Sequence, residues 1–197
     1  MKDMNGKSQL RTISRAFPVS ISVLEVLFLV VLGVIAVVLR AKLRIPMQMP
    51  GRHGLEVMAL LMIGRKASGL PMATSISTFA AAFMVMFPFM GFSDPSMPVI
   101  YILMGIVIDV LYRFVRLFRE TLILFAALGG IAYMVIPLSR IVVHFTTGYI
   151  YPSFARTGYL YPIFTHFLFG AGGALLAGAL VYAVKRRRRS VDEEENR

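Results

Sequence analysis

The sequence predicts an all-α polytopic membrane protein: six transmembrane helices, with a short second helix and a structured outer loop after helix one. Three observations carry this. Of 197 residues, 57% are hydrophobic and only 16% are charged, against about 45–50% and about 25% in soluble domains. Apolar runs near the length of a bilayer crossing, about 20 residues, alternate with short polar connectors. The cations collect in alternate connectors, as the positive-inside rule requires of a multi-span chain.

The elements follow in order. Residues 1–16 form a basic segment (Lys2, Lys7, Arg11, Arg15), expected on the cytoplasmic side. The apolar run after it is too long for the core of a cleavable signal. Span one is expected over 17–39, a Val/Leu/Ile run. A loop with Lys42, Arg44, Pro46, Gln48, Pro50, Gly51, Arg52 and His53 leads into a short apolar helix over 55–63. Through Arg65 and Lys66 the chain reaches span three, 71–87, rich in Ala, Ser, Thr and Met. A turn-rich loop with Asp94 precedes span four, 99–115. After Arg116 and Arg119 comes span five, 121–145, in which Pro137 is expected to kink the helix. An aromatic loop leads to span six, 163–184. The expected organisation is therefore a 17–184 membrane domain and a 185–197 basic/acidic tail, cytoplasmic and mobile. The chain holds no Cys and no Trp, so thiolate metal sites and disulfides are excluded. Interface anchoring falls to Tyr, Lys and Arg.

Both termini are basic, so an even number of crossings returns the tail to the cytoplasm of a plasma-membrane protein. Six crossings place Arg65–Lys66 and Arg113–Arg119 inside and leave the 41–56 loop outside, where its charge is anomalous. Arg40, Lys42 and Arg44 have a plain explanation in side chains that extend to outer headgroups. Arg52 and His53 follow the Pro50–Gly51 turn and precede a helix too short to span. They are expected to line a polar cavity open to the outside.

Ionisable groups at membrane depth usually face a bundle interior. Glu25 and Asp109 fall at similar depth near the inner side, and Arg113 is spaced to pair with Asp109; an inner cluster that fixes packing is preferred to a proton relay. His53, His144 and His166 project to the outer half, together with Arg140, Arg156, Tyr149, Tyr151, Tyr159 and Tyr161. Imidazoles can ligate a metal or hydrogen-bond an organic ligand. The tyrosines also suit an interfacial belt. Small residues at Gly170, Gly173, Ala174, Ala177 and Gly178 suit close helix packing. No Walker loop, HExxH or GxSxG occurs in the sequence, so no catalysis and no cofactor are expected.

The stretch "RIPMQMPGRHGLEVMALLMIGRKASG", with Leu60, Leu61, Gly64 and Gly69, resembles substrate-binding S-components of energy-coupling-factor vitamin transporters, loosely the biotin type. There a similar Ile-Pro…Gln loop feeds a Leu-Leu-x-Gly helix. The biotin-type Pro-Val-Pro-x-Thr repeat is lacking, as are the Ala-xxx-Ala docking pattern on span one and the Met-His start of the metal-specific members. The resemblance implies a small-molecule-binding membrane subunit that captures a vitamin-like molecule. A membrane coupling protein and cytoplasmic ATPases would energise it; nucleic acid is not expected as a partner, because the placement of the +11 net charge argues for membrane topology instead. It implies a site of Arg44, Gln48, Arg52, His53 and Glu56, joined by His144 and His166. Two other readings stand beside it: an accessory subunit of a larger membrane complex without a ligand, and an intramembrane enzyme or metal permease built on the outer histidines.

Overall fold

The computed structural model describes residues 21–43, 49–115 and 121–195. Within them the chain is helical, with no strand. The helices are α1 (Ile21–Lys42), α2 (Gly54–Ala67), α3 (Ala73–Val85), α4 (Met97–Phe114), α5 (Leu122–Tyr133), α6 (Val135–Thr147), α7 (Pro152–Thr157) and α8 (Leu160–Glu195). Four stretches are long and apolar enough to cross a membrane: Val23–Lys42, Met97–Phe114, Leu122–Thr147 and Leu160–Arg188. This fits a membrane protein. α2 and α3 are shorter, with 14 and 13 residues.

The helices pack in the order α5, α8, α2, α1, α3, α4, with α4 returning to α5. Val37, Val57, Met58, Leu61, Met62, Met104, Ile108 and Leu128 form the shared core and are fully buried. The outward faces are apolar too: Leu24, Phe79, Val99, Ile123 and Leu160 are all exposed. An apolar exterior removes most of the hydrophobic drive for helix association, leaving close van der Waals packing as the main cohesive term. Glycines allow that approach. A Cβ on Gly33 would strike the Ser77 backbone, one on Gly105 the Thr78 side chain, and one on Gly170 the Gly129 carbonyl. The small-residue row of α8 is thus spent inside the molecule, against α2 and α5.

Pro137 acts as expected, one turn early. Its ring has no N–H for the Tyr133 carbonyl and crowds it, and the helix breaks at Met134, between α5 and α6. The tail differs from expectation: α8 continues as one helix to Glu195. Arg, Lys and Glu are strong helix formers, and no Gly or Pro follows Gly178 to stop it.

The bundle has two ends. At the tail end, Glu25 of α1 accepts from Ser68 Oγ (2.5 Å) and Gly69 N (2.8 Å). Asp109 of α4 pairs with Arg65 of α2 at 2.9 Å. The i,i+4 partner offered by spacing, Arg113, instead lies over Phe114. Asp109 also accepts from the Thr74 and Ser75 amides and Ser75 Oγ, so it caps α3, whose own N-cap, Met72, supplies no oxygen. Arg65 in turn binds the Ser68, Leu70 and Pro71 carbonyls. Lys66 rests on Phe125. Glu25 and Asp109 share an end but not a partner.

Candidate functional site

The opposite end is built around the turn that opens α2. Pro50 sets φ for a turn and Gly51 follows at φ +79°, a left-handed value that favours Gly. Gly54 N donates to Gly51 O at 2.7 Å. This turn seats on α8: a Cβ on Gly51 would meet His166 Nδ1 at 2.8 Å. A Cβ on Gly173 would meet the Leu55 and Gly54 carbonyls at 2.5 and 2.8 Å. The local sequence Pro-Gly-Arg-His-Gly therefore fixes where Arg52 and His53 go.

They go to the wall of a cavity of about 330 Å³. Arg40 enters from the end of α1, and Tyr133 and Arg140 come from either side of the α5–α6 break. Phe154 and Arg156 belong to α7, and His166 to α8. Four arginines and two histidines thus share one small space. Guanidinium stays charged at any physiological pH.

Two of the arginines are held in place by partners outside the cavity. Arg40 donates to Tyr101 Oη at 2.8 Å and lies over the Phe92 ring. Arg140 places Nε and Nη2 on Asp94 Oδ2 at 3.0 and 2.8 Å, and its guanidinium covers Tyr151. Asp94 also accepts from the Ser96 amide and hydroxyl. His53 Nδ1 and Glu56 Oε1 are 2.6 Å apart. Glu56 is 9% exposed, and its other oxygen is buried without a hydrogen-bond partner among the described residues. His166 stacks on Tyr133 (centroids 5.1 Å, 27° apart). Its Nδ1 lies 2.6 Å from Pro162 O. A carbonyl only accepts, so Nδ1 carries the hydrogen and Nε2 of the neutral ring is left as an acceptor.

Of the residues singled out from sequence, Arg52, His53 and His166 line the cavity, and Glu56 backs His53. Arg44 and Gln48 lie outside the described residues. His144 is elsewhere: exposed, its Nδ1 2.8 Å from the Tyr149 carbonyl, with its ring near Phe145 and Tyr159. The three histidines therefore do not converge, and no cluster able to hold a metal occurs among the described residues. Arg40 was ascribed to headgroups and instead turns to Tyr101 and the cavity. Arg140 and Arg156 had been placed in the outer half without a site role, and Tyr133 had given no signal. A charged residue mid-way along an apolar run was the available clue to Arg140. The tyrosines divide: Tyr151 is buried and meets Ser96 at 3.2 Å, whereas Tyr149 and Tyr159 are exposed.

Comparison with family models, curated proteins and solved structures finds no match for the chain.

Proposed function

We propose that the protein is the substrate-binding membrane subunit of an uptake system for a small, anionic, vitamin-like molecule, energised by partner ATPases through a membrane coupling protein. The observation that carries the reading is the arginine-lined cavity at the end of the bundle opposite the α8 tail. The positive-inside rule puts the basic tail end in the cytoplasm. α2 and α3 then make a second and third crossing, short but completed by their flanking turns, and the cavity opens outward in the plasma membrane. The Ile-Pro…Gln loop and the helix with Leu60, Leu61 and Gly64 are the features that resemble energy-coupling-factor S-components, whose helix carries Leu-Leu-x-Gly. In this reading the subunit binds and releases its cargo without altering it. Reorientation of the bundle, driven by ATP hydrolysis in its partners, moves the cargo inward.

Mass spectrometry of small molecules extracted from the purified protein tests the reading. One stoichiometric organic anion is expected. Arg52→Ala should weaken its binding by about 1.5–3 kcal/mol, the cost of losing a charged hydrogen bond in a desolvated site. A preparation that carries no such molecule, and that purifies only as a fixed part of a large complex without ATPases, overturns it in favour of an accessory subunit.

A further inference from the structure

We propose that His166 and Tyr133 read a hydrogen-bond donor on the cargo, so that the cavity takes organic anions bearing a hydroxyl or N–H group besides the acidic one. This rests on the reading of the cavity as a binding site and adds the chemical class of its occupant.

The observation is a stacked pair of rings with unused polar atoms. Tyr133, at the end of α5, and His166, on α8, have centroids 5.1 Å apart and planes 27° apart. Both line the cavity, yet they are only 2% and 5% exposed. His166 Nδ1 is spent on the Pro162 carbonyl at 2.6 Å. Among the described residues nothing hydrogen-bonds His166 Nε2 or Tyr133 Oη. Polar atoms on side chains this buried normally have partners, and the cavity is where a ligand can supply them.

The pair is held in place. Both glycines of the α2 turn abut it. A Cβ on Gly51 would meet His166 Nδ1 at 2.8 Å, and one on Gly54 would strike the Tyr133 ring. The Gly54 N to Gly51 O bond, 2.7 Å, ties the two glycines to each other. The Pro162 bond fixes the rotation of the imidazole. Polar atoms held this way need no further ordering when a ligand arrives.

Chemistry separates the pair from the arginines of the wall. Guanidinium has donors and no acceptor, so it holds an acidic group and cannot recognise a donor. A neutral imidazole with its hydrogen on Nδ1 only accepts at Nε2. Tyr133 Oη can donate or accept, which suits the oxygen of a hydroxyl or the carbonyl beside an N–H. An anion without a donor displaces water from Nε2 and puts nothing in its place. Leaving a buried acceptor unpaired costs about ten-fold or more in affinity.

The test uses the full-length protein in detergent at constant pH and ionic strength. Thermal unfolding is read against ω-hydroxy carboxylates of three to six carbons and the alkanoates of equal length. At one length or more, the hydroxy acid is expected to stabilise at a concentration about ten-fold below that of its parent. His166→Phe keeps a ring on Tyr133 and removes the acceptor, so it should bring the two acids level; His166→Gln, which offers an amide oxygen instead, should keep a preference. Tyr133→Phe, which loses only a hydroxyl, should narrow it. Nitrogen NMR of histidine-labelled protein reads the unmutated chain directly. The sequence has three histidines, so His53→Gln and His144→Gln assign the His166 signals. Hydrogen on Nδ1 is expected, with Nε2 shifting on addition of the hydroxy acid and not of its parent. Equal response to every hydroxy acid and its parent, absence of response included, overturns the proposal. So does a preference unchanged in either phenylalanine variant, or hydrogen found on Nε2. Such a result leaves the transport reading standing where one organic anion still co-purifies. A clear preference in a protein without ATPase partners sinks transport and keeps this inference.

Discussion

Gly51 carries two constraints at once: a left-handed backbone and a neighbour, His166, where its side chain would be. Gly91 has a similar φ, +73°, but open space around it. Gly91→Ala should therefore cost only backbone strain, about 1–2 kcal/mol. Gly51→Ala adds the displacement of the His166 ring, and a larger fall in the detergent melting temperature is the expected result, with loss of ligand stabilisation. Equal falls would mean that the turn does not seat on α8 as described. Asp109 is the corresponding point at the other end. Asp109→Ala leaves Arg65 buried without its carboxylate and uncaps α3, at a cost of roughly 3–5 kcal/mol in unfolding by SDS. Arg65→Met combined with Asp109→Leu should recover only part of that cost: no lone charge is left behind, but α3 stays uncapped and the Ser68, Leu70 and Pro71 carbonyls lose their donor.

At the scale of elements, α8 is the helix on which the cavity depends. It meets α5 and α2 through glycines, and its position sets that of His166. A Cβ on Gly170 would lie 2.5 Å from Tyr133 Cβ, whereas one on Gly172 would meet only Leu55 Cδ1 at 3.7 Å. Gly170→Val should destabilise by about 1–3 kcal/mol or more, as overpacking does, and Gly172→Val by little. A pair of circular-dichroism melts in the same detergent checks this. Indistinguishable melts would place the α5–α8 contact elsewhere. The break at Met134 matters in the same way. It lets Tyr133 stack on His166 while Arg140, two turns on, reaches across to Asp94.

For the whole molecule the two-ended arrangement of charge makes a prediction about the membrane. The sequence has no cysteine, so single cysteines report position without background. Thr157 and Ser190 are both exposed, at opposite ends of the bundle. A membrane-impermeant maleimide should label Thr157→Cys in intact cells and Ser190→Cys only after permeabilisation. Labelling of both in intact cells would reverse or break the proposed six-crossing topology.

The sequence by itself determined what depends on composition and short-range pattern: apolar helices, their approximate bounds, the Pro137 break and the Pro-Gly turn that delivers Arg52 and His53. Each follows from backbone rules that act over one or two turns. It could not determine partners across helices. Asp109 had Arg113 at ideal helical spacing and took Arg65, because α2 ends beside α4 and offers a buried guanidinium where Arg113 lies over Phe114. Arg40 faced a choice between headgroups and the bundle, and Tyr101, sixty-one residues away, decided it. His144 and His166 look alike in sequence, yet only His166 lies on the helix that the glycine contacts pull against the α2 turn. Which charges meet was set by close approach between helices, and close approach is a property of the packed bundle rather than of any one segment.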